Sequence, residues 1–348
     1  MSETHFLRRR WKLILNIVTI VAMLGLVYAL RDQIVSTIEN IGRVNYWVLL
    51  LMIPIEALNY DAYARMYRTF FRLLGDRVSY KEMFKVSLEL NLVNHIFPSG
   101  GVSGFSYFGL RLKKIGISSG KATLVQTMRF IFLFLSFEIL LVIGLLSLAI
   151  GGSANNLTIL VAASLSTLLI VGTLLLAFII GSKQRIKSFF TFFTNGINSI
   201  VRTVFKGKTE VLETVRVERM LNELHENYLI LKSDYGQLKK PFFNGFVANF
   251  TEILAVYVVY IAFGHWINPG AIILAYALAN FAGLISVLPG GIGIYEAIMT
   301  AVLAAAGVPA SISIPVTVMY RVINITIQVI PGYYFYHKAL RSEAPQEQ

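Results

Sequence analysis

Apolar residues come in long runs along this chain, separated by short basic stretches. The runs at Leu13–Leu30, Tyr46–Arg65, 122–150, 156–181, 242–263 and 312–337 each approach or exceed the roughly 20 residues a helix needs to cross a bilayer. Two further runs, 82–115 and 271–306, are interrupted by "PSGG" and "PGG". Each break comes too deep into its run for a surface loop and too early for two full crossings. Residues 183–241 are the one long polar segment. Its first part sets Ile186, Phe189, Phe190, Phe193, Ile197, Ile200, Val201 and Val204 at helical spacing, with Arg185, Lys187, Arg202 and Lys206 opposite. That pattern predicts a helix lying in the membrane interface.

Composition agrees: 56% of the residues are hydrophobic and 14% charged, with mean hydropathy +0.65. Soluble domains carry about a quarter charged residues, so the chain reads as an all-α polytopic membrane protein. A transmembrane barrel would show short alternating segments, and none are visible. Cysteine is absent, which excludes disulfides and thiolate metal sites. The net charge of +12 lies beside the apolar runs rather than in a nucleic-acid-binding patch, as the positive-inside bias predicts. Arg8, Arg9, Arg10 and Lys12 place the N-terminus in the cytoplasm, and Lys338 does the same for the C-terminus. The first apolar run is longer than a signal peptide's, so an uncleaved first helix is expected. In 183–241, eleven Lys/Arg stand against six Asp/Glu, so this amphipathic linker is expected on the cytoplasmic side.

The two broken runs resemble each other. At an offset of 191 residues, Pro98 matches Pro289, Gly100 matches Gly291, and Gly116 matches Gly307. Basic residues flank the first break on both sides, whereas neither flank of the second carries Lys or Arg. The expected architecture is therefore six full transmembrane helices plus two re-entrant helical hairpins of opposite orientation. It forms a single transmembrane domain over 1–348, with repeat one at about 46–150, the linker at about 183–241 and repeat two at about 242–337. Inverted repeats with interrupted helices near the midplane mark transporters, and irregular backbone at that depth must be buried in protein or line a wet cavity.

Ionisable groups in a membrane core cost roughly 2.5–3.5 kcal/mol each on insertion scales, yet several fall at depth. Glu56, Asn59, Asp61 and Arg65 lie on the second run, Glu89, Asn91, Asn94 and His95 before the first break, and Gln126, Arg129 and Glu138 after it. Asn249, Glu252, Asn280, Glu296, Arg321, Asn324 and Gln328 belong to the second half. Arg129 and Arg321 occupy nearly equivalent places in the two repeats. A guanidinium offers planar, bidentate donors suited to phosphate, and the helix N-termini after the breaks attract anions. The alternative for both arginines is neutralisation of Glu138, Glu296 or Glu252 inside the bundle, or snorkelling to the interface. Glu296 reads as a proton-coupling group, as the partner of Arg321, or both. His95 reads as a packing histidine bonded to a backbone carbonyl, and the asparagines as interhelical glue. No Gly-x-Ser-x-Gly elbow, P-loop, aspartate cluster or His-Glu-x-x-His motif occurs, so no catalytic residue, metal or cofactor is expected.

At "LNLVNHIFPSGGVSGF" and "LPGGIGIYEAIMTAVLAAAGVPASISIPVTVMYRVIN" the chain resembles the lysylphosphatidylglycerol synthase transmembrane family. These flippase-like proteins include the membrane half of the bacterial multiple peptide resistance factor. The likeness covers nearly the whole chain and implies a polytopic lipid translocase, with Pro289, Gly290, Gly291, Gly293, Glu296 and Arg321 at matching positions. Many members carry a basic residue before the motif glutamate, where this chain has Tyr295. Many also carry a Gly-Glu pair and an arginine in the first motif, where this chain reads Ser99-Gly100-Gly101-Val102-Ser103-Gly104. Headgroup preference is expected to differ accordingly. The soluble aminoacyl-transfer domain of the synthases has no counterpart after Lys338, so lysyl transfer is not expected of this chain alone.

The leading expectation is a lipid translocase of the cell membrane, not an enzyme. It would move an anionic phospholipid or a polyprenyl-phosphate-linked lipid between leaflets. Arg129 and Arg321 would hold the headgroup, with Glu296 and Asn324 beside them. Pro98, Gly100, Gly101, Pro289, Gly290, Gly291 and Gly293 would shape the hairpins. Its partners are membrane lipids, not nucleic acid, and a homo-oligomer is left open. The alternative is an intramembrane enzyme or accessory subunit of lipid-linked glycan or phospholipid assembly, resting on Asp61 and Glu56 converging with Glu89. A solute or ion transporter ranks third.

Overall fold

The computed structural model describes residues 20, 21, 24, 25, 27–97, 102–191, 214–285 and 291–341. Helices dominate and no strand occurs among them. In chain order the helices are α1 (Arg31–Asn40), α2 (Tyr46–Leu49), α3 (Met52–Leu73), α4 (Tyr80–Ile96), α5 (Val102–Lys113), α6 (Ser119–Ile150), α7 (Asn156–Ile180), α8 (Thr214–Ser233), α9 (Lys239–Ala262), α10 (Pro269–Ile285), α11 (Ile294–Ala305) and α12 (Ala310–Arg341). Four helical stretches are long and apolar enough to cross a membrane: Ser119–Ile150, Asn156–Ile180, Tyr235–Ala262 and Ala310–Leu340. Pro269–Gly283 and Ile294–Ala305 are apolar but shorter. The expected first crossing lies largely outside the described residues.

The second expected crossing, 46–65, is helical as α2 and the first part of α3, with a break at 50–51, and α3 runs on to Leu73. The reason is amphipathicity. Arg65 and Arg72 face outward while Met66, Tyr67, Phe70 and Phe71 are fully buried, so the helix continues where average hydropathy ends.

The element order long helix, two short helices, long helix occurs twice, as α3–α6 and as α9–α12. Local turn chemistry repeats with it. Gly75 and Gly264 follow α3 and α9, and Gly116 and Gly307 follow α5 and α11, with φ of 84°, 78°, 84° and 88° respectively. After each glycine, the next N–H reaches back into the helix: Asp76 to the Phe71 carbonyl (2.8 Å), His265 to Tyr260 (2.9 Å), Ile117 to Leu112 (3.1 Å) and Val308 to Leu303 (2.9 Å). This is the Schellman ending, which needs a left-handed residue that only glycine adopts without strain. Ser79 and Ser118 then cap α4 and α6 by accepting from Glu82 N–H and Lys121 N–H.

The two halves are laid against each other. α3 packs along α9, and α12 along α4. Gly332 of α12 permits the second contact, because a Cβ there would fall 2.8 Å from the Leu88 carbonyl oxygen and 3.0 Å from Leu92 Cβ. Polar groups stitch the seams: Asn59 donates to the Ala248 carbonyl (2.8 Å) and Thr251 Oγ1 (3.0 Å), and Asn249 to the Leu133 carbonyl (2.9 Å) and Ser136 Oγ (2.6 Å). Such bonds average about 0.6 kcal/mol inside membranes, so close packing must carry most of the association. α7 is peripheral and turns Leu160, Leu174 and Phe178 outward, as a lipid-facing helix does.

The polar linker splits into two parts. Of the expected interfacial helix, residues 183–191 are described and helical, with Ile186 buried, and the rest lies outside the described residues. Its second part forms α8, which docks on α6 through Leu221, Leu224 and Leu231.

Candidate functional site

The start of α11 is built around one carboxylate. Gly293 has φ 84°, and its N–H donates to Glu296 Oε2 at 2.6 Å. Glu296 Oε1 accepts from Arg321 Nη1 of α12 at 2.8 Å and from Gln33 Nε2 of α1 at 3.1 Å. The Arg321 guanidinium lies 4.7 Å from the Tyr295 ring centroid. Glu296 therefore joins three segments and neutralises a buried arginine (6% exposed). It also accepts from the Gly293 N–H at the N-terminus of α11, so one amide there is already satisfied within the protein. Gly291 is tightly held too, with φ 68° and a position where a Cβ would lie 2.9 Å from Gly283 Cα. Pro98, Gly100, Gly101, Pro289 and Gly290 lie outside the described residues.

Arg129, on α6, is differently placed. Its guanidinium stands 4.8 Å from the Tyr63 ring centroid and 5.3 Å from that of Phe130. No carboxylate pairs with it among the described residues, and its buried Nε has no hydrogen-bond partner in the protein. Glu138 is not its partner either: Glu138 Oε2 is itself buried and unsatisfied. The structure thus brings Glu296 and Arg321 together and gives Arg129 other neighbours.

Asn324 joins neither arginine. Its Nδ2 donates to Tyr320 Oη (3.0 Å), and its Oδ1 accepts from Gln328 Nε2 (2.9 Å). Gln328 Nε2 also reaches Glu56 Oε2 (3.1 Å), while Tyr320 Oη donates to Glu252 Oε2 (3.3 Å). His95 Nδ1 meets the Asn91 carbonyl at 2.9 Å, the backbone bond expected of it, and Asn91 donates to Tyr60 Oη at 2.7 Å.

The carboxylates of the enzyme alternative have separate partners. Asp61 pairs with Arg65 (2.7 Å) and accepts from Tyr80 Oη (2.7 Å). Glu89 accepts from Tyr107 Oη (2.7 Å) and Arg111 Nε (2.8 Å). Arg111 also pairs with Glu82. These last residues line a cleft of about 580 Å³ where α4, α5 and the end of α12 meet, together with Lys85, Lys114 and Lys338. Sequence reasoning passed over Gln33 and this cleft. The only signal was the clustering of basic residues near the ends of apolar runs.

Comparison with known proteins follows the same lines. The family described as "Lysylphosphatidylglycerol synthase TM region" matches residues 13–332. A UPF0104 membrane protein of Pyrococcus horikoshii is 23% identical over 299 residues, covering 85% of this chain and 88% of the relative. One from Methanothermobacter thermautotrophicus is 28% identical over 265 residues, covering 73% and 74%. One from Methanocaldococcus jannaschii is 21% identical over 326 residues, covering 92% and 90%.

Proposed function

The chain belongs to the lysylphosphatidylglycerol synthase TM region family, and from that premise we propose that it moves an anionic lipid between the two leaflets of the cell membrane. The lipid would be a phospholipid or a polyprenyl-phosphate-linked species, and the protein would transport rather than catalyse. The observation that carries this reading is Arg129, a cation inside an apolar bundle with a buried, unsatisfied Nε and no counter-charge among the described residues. A phosphate would supply both the charge and the acceptor. The basic cleft at Lys85, Lys114 and Lys338 supports the same substrate class, since it would meet the headgroup first. In this reading the two short-helix pairs are re-entrant hairpins of opposite orientation, both termini are cytoplasmic, and one repeat moves against the other to expose the site alternately.

Purified protein in liposomes with trace fluorescent phosphatidylglycerol or polyprenyl phosphate tests this, an impermeant quencher reporting which leaflet holds the label. The wild type should move anionic lipid faster than empty vesicles, and Arg129→Ala should fall to the empty-vesicle rate. Folded wild type that moves neither lipid, with or without an imposed ion gradient, sinks the proposal.

A further inference from the structure

The network that absorbs Asn324 joins two acids without a base. Glu56 of α3 is 1% exposed and Glu252 of α9 is partly buried. They are joined through Gln328, Asn324 and Tyr320 of α12, and Glu252 is near enough for its charge to bear on Glu56. Neither is paired with a cation among the described residues. The ion pairs among the described residues engage other carboxylates: Asp32, Asp61, Asp76, Glu82, Glu89 and Glu296.

Hydrogen accounting shows what the network lacks. Gln328 spends both amide hydrogens, on Glu56 Oε2 and Asn324 Oδ1. Asn324 gives one to Tyr320, and Tyr320 gives its own to Glu252. Left over are Glu56 Oε1 and Gln328 Oε1, both buried acceptors with no donor in the protein. Turning the Gln328 amide over does not help, because its oxygen would then face the acceptors Glu56 Oε2 and Asn324 Oδ1. Two anions and two orphan acceptors in a low-dielectric bundle are strongly unfavourable. One proton on Glu56 Oε1 removes one charge and turns one orphan acceptor into a donor.

We propose that Glu56 and Glu252 form a proton-binding site, and that proton uptake there couples the lipid movement proposed above to the proton gradient. The second clause rests on the lipid reading, whereas the first stands by itself. A proton suits the site better than a metal ion, since no three His, Asp or Glu side chains gather to hold one among the described residues. The titratable groups facing the pair are Tyr60 and Tyr63 of α3, Tyr276 of α10, Tyr295 of α11 and Tyr320 of α12. His95 of α4 stands one step away through Asn91. The nearby arginines are engaged elsewhere, Arg129 on Tyr63 and Arg321 on Glu296. No lysine or arginine therefore pairs with either acid among the described residues, and α12 ties the pair through Asn324 and Tyr320 to the arginine between them in sequence.

Infrared spectra of the purified protein at neutral pH, with and without sodium, provide the test. They should show a protonated-carboxyl band that Glu56→Gln and Glu252→Gln each weaken and sodium leaves unchanged. In liposomes, a pH gradient should drive net lipid accumulation, up to ~tenfold per pH unit for one proton per lipid, and neither variant should respond. A wild-type spectrum without the band overturns the proton site whether or not the variants fold, as does a band that sodium removes. Lipid movement indifferent to the gradient overturns the coupling and leaves the lipid reading standing. A band that behaves as expected with no lipid movement under any gradient supports the proton site and removes the lipid reading instead.

Discussion

Arg129 and Arg321 stand at nearly equivalent places in the two long helices α6 and α12, yet the protein treats them oppositely. Arg321 is locked to Glu296, which also holds Gln33 and the Gly293 N–H, so this cation is part of the scaffold. Arg129 rests on aromatic faces with its Nε unsatisfied. A sequence motif marks the first strongly, and the second stands in a helix with no comparable signature. The contrast teaches that motif strength and availability for a ligand are different properties. The arginine in the most specific motif has its charge answered within the protein by Glu296, and the one outside any motif faces aromatic rings and no carboxylate among the described residues.

Substitution should separate the two by sign. Arg321→Ala strands the Glu296 carboxylate and should cost about 3–5 kcal/mol in reversible unfolding in mixed micelles. Adding Glu296→Gln should recover a good part of that loss, and a double variant no more stable than the single would show that the pair is not what matters. Arg129→Leu, by contrast, removes a cation that leaves no carboxylate stranded among the described residues, only the faces of Tyr63 and Phe130. Its stability should be unchanged or raised by about 1 kcal/mol, following the pattern of buried charges replaced by apolar groups. A loss of several kcal/mol there would mean that Arg129 is scaffold too. The smallest effect belongs to the exposed pair Arg65–Asp61, where Arg65 is 63% exposed. Asp61→Asn should shift stability by less than about 1 kcal/mol, and a larger loss would locate this pair in a drier place than its exposure indicates.

Features written within a short stretch of chain were legible in the sequence. Glu296 and Arg321 are 25 residues apart across one turn, and Gly116 with Gly307 announced matching helix ends. Alternation of polar and apolar positions in α3 was legible in principle, but its charges hid the helix from a hydropathy average. Contacts between halves were not legible. Asn59 meeting Ala248 and Gln328 meeting Glu56 depend on how α3, α9 and α12 come together in space, and Gln33 belongs to a helix no motif marked. Asn324, grouped with Arg321 by sequence proximity, turns to the other network because three residues along a helix is close in distance yet leaves room for a different direction.

The Gln328–Glu56 bond spans 272 residues, and that length is also a duration. A ribosome adding roughly 5–20 residues per second needs about 15–50 seconds to travel it. During that interval α3 has been made and α12 has not, so Glu56 enters the membrane without the amide that will finally hold it. The acid must therefore arrive protonated, shelter against another helix or wait at the edge of the insertion channel, and the order of synthesis makes α12 the piece that ends the wait.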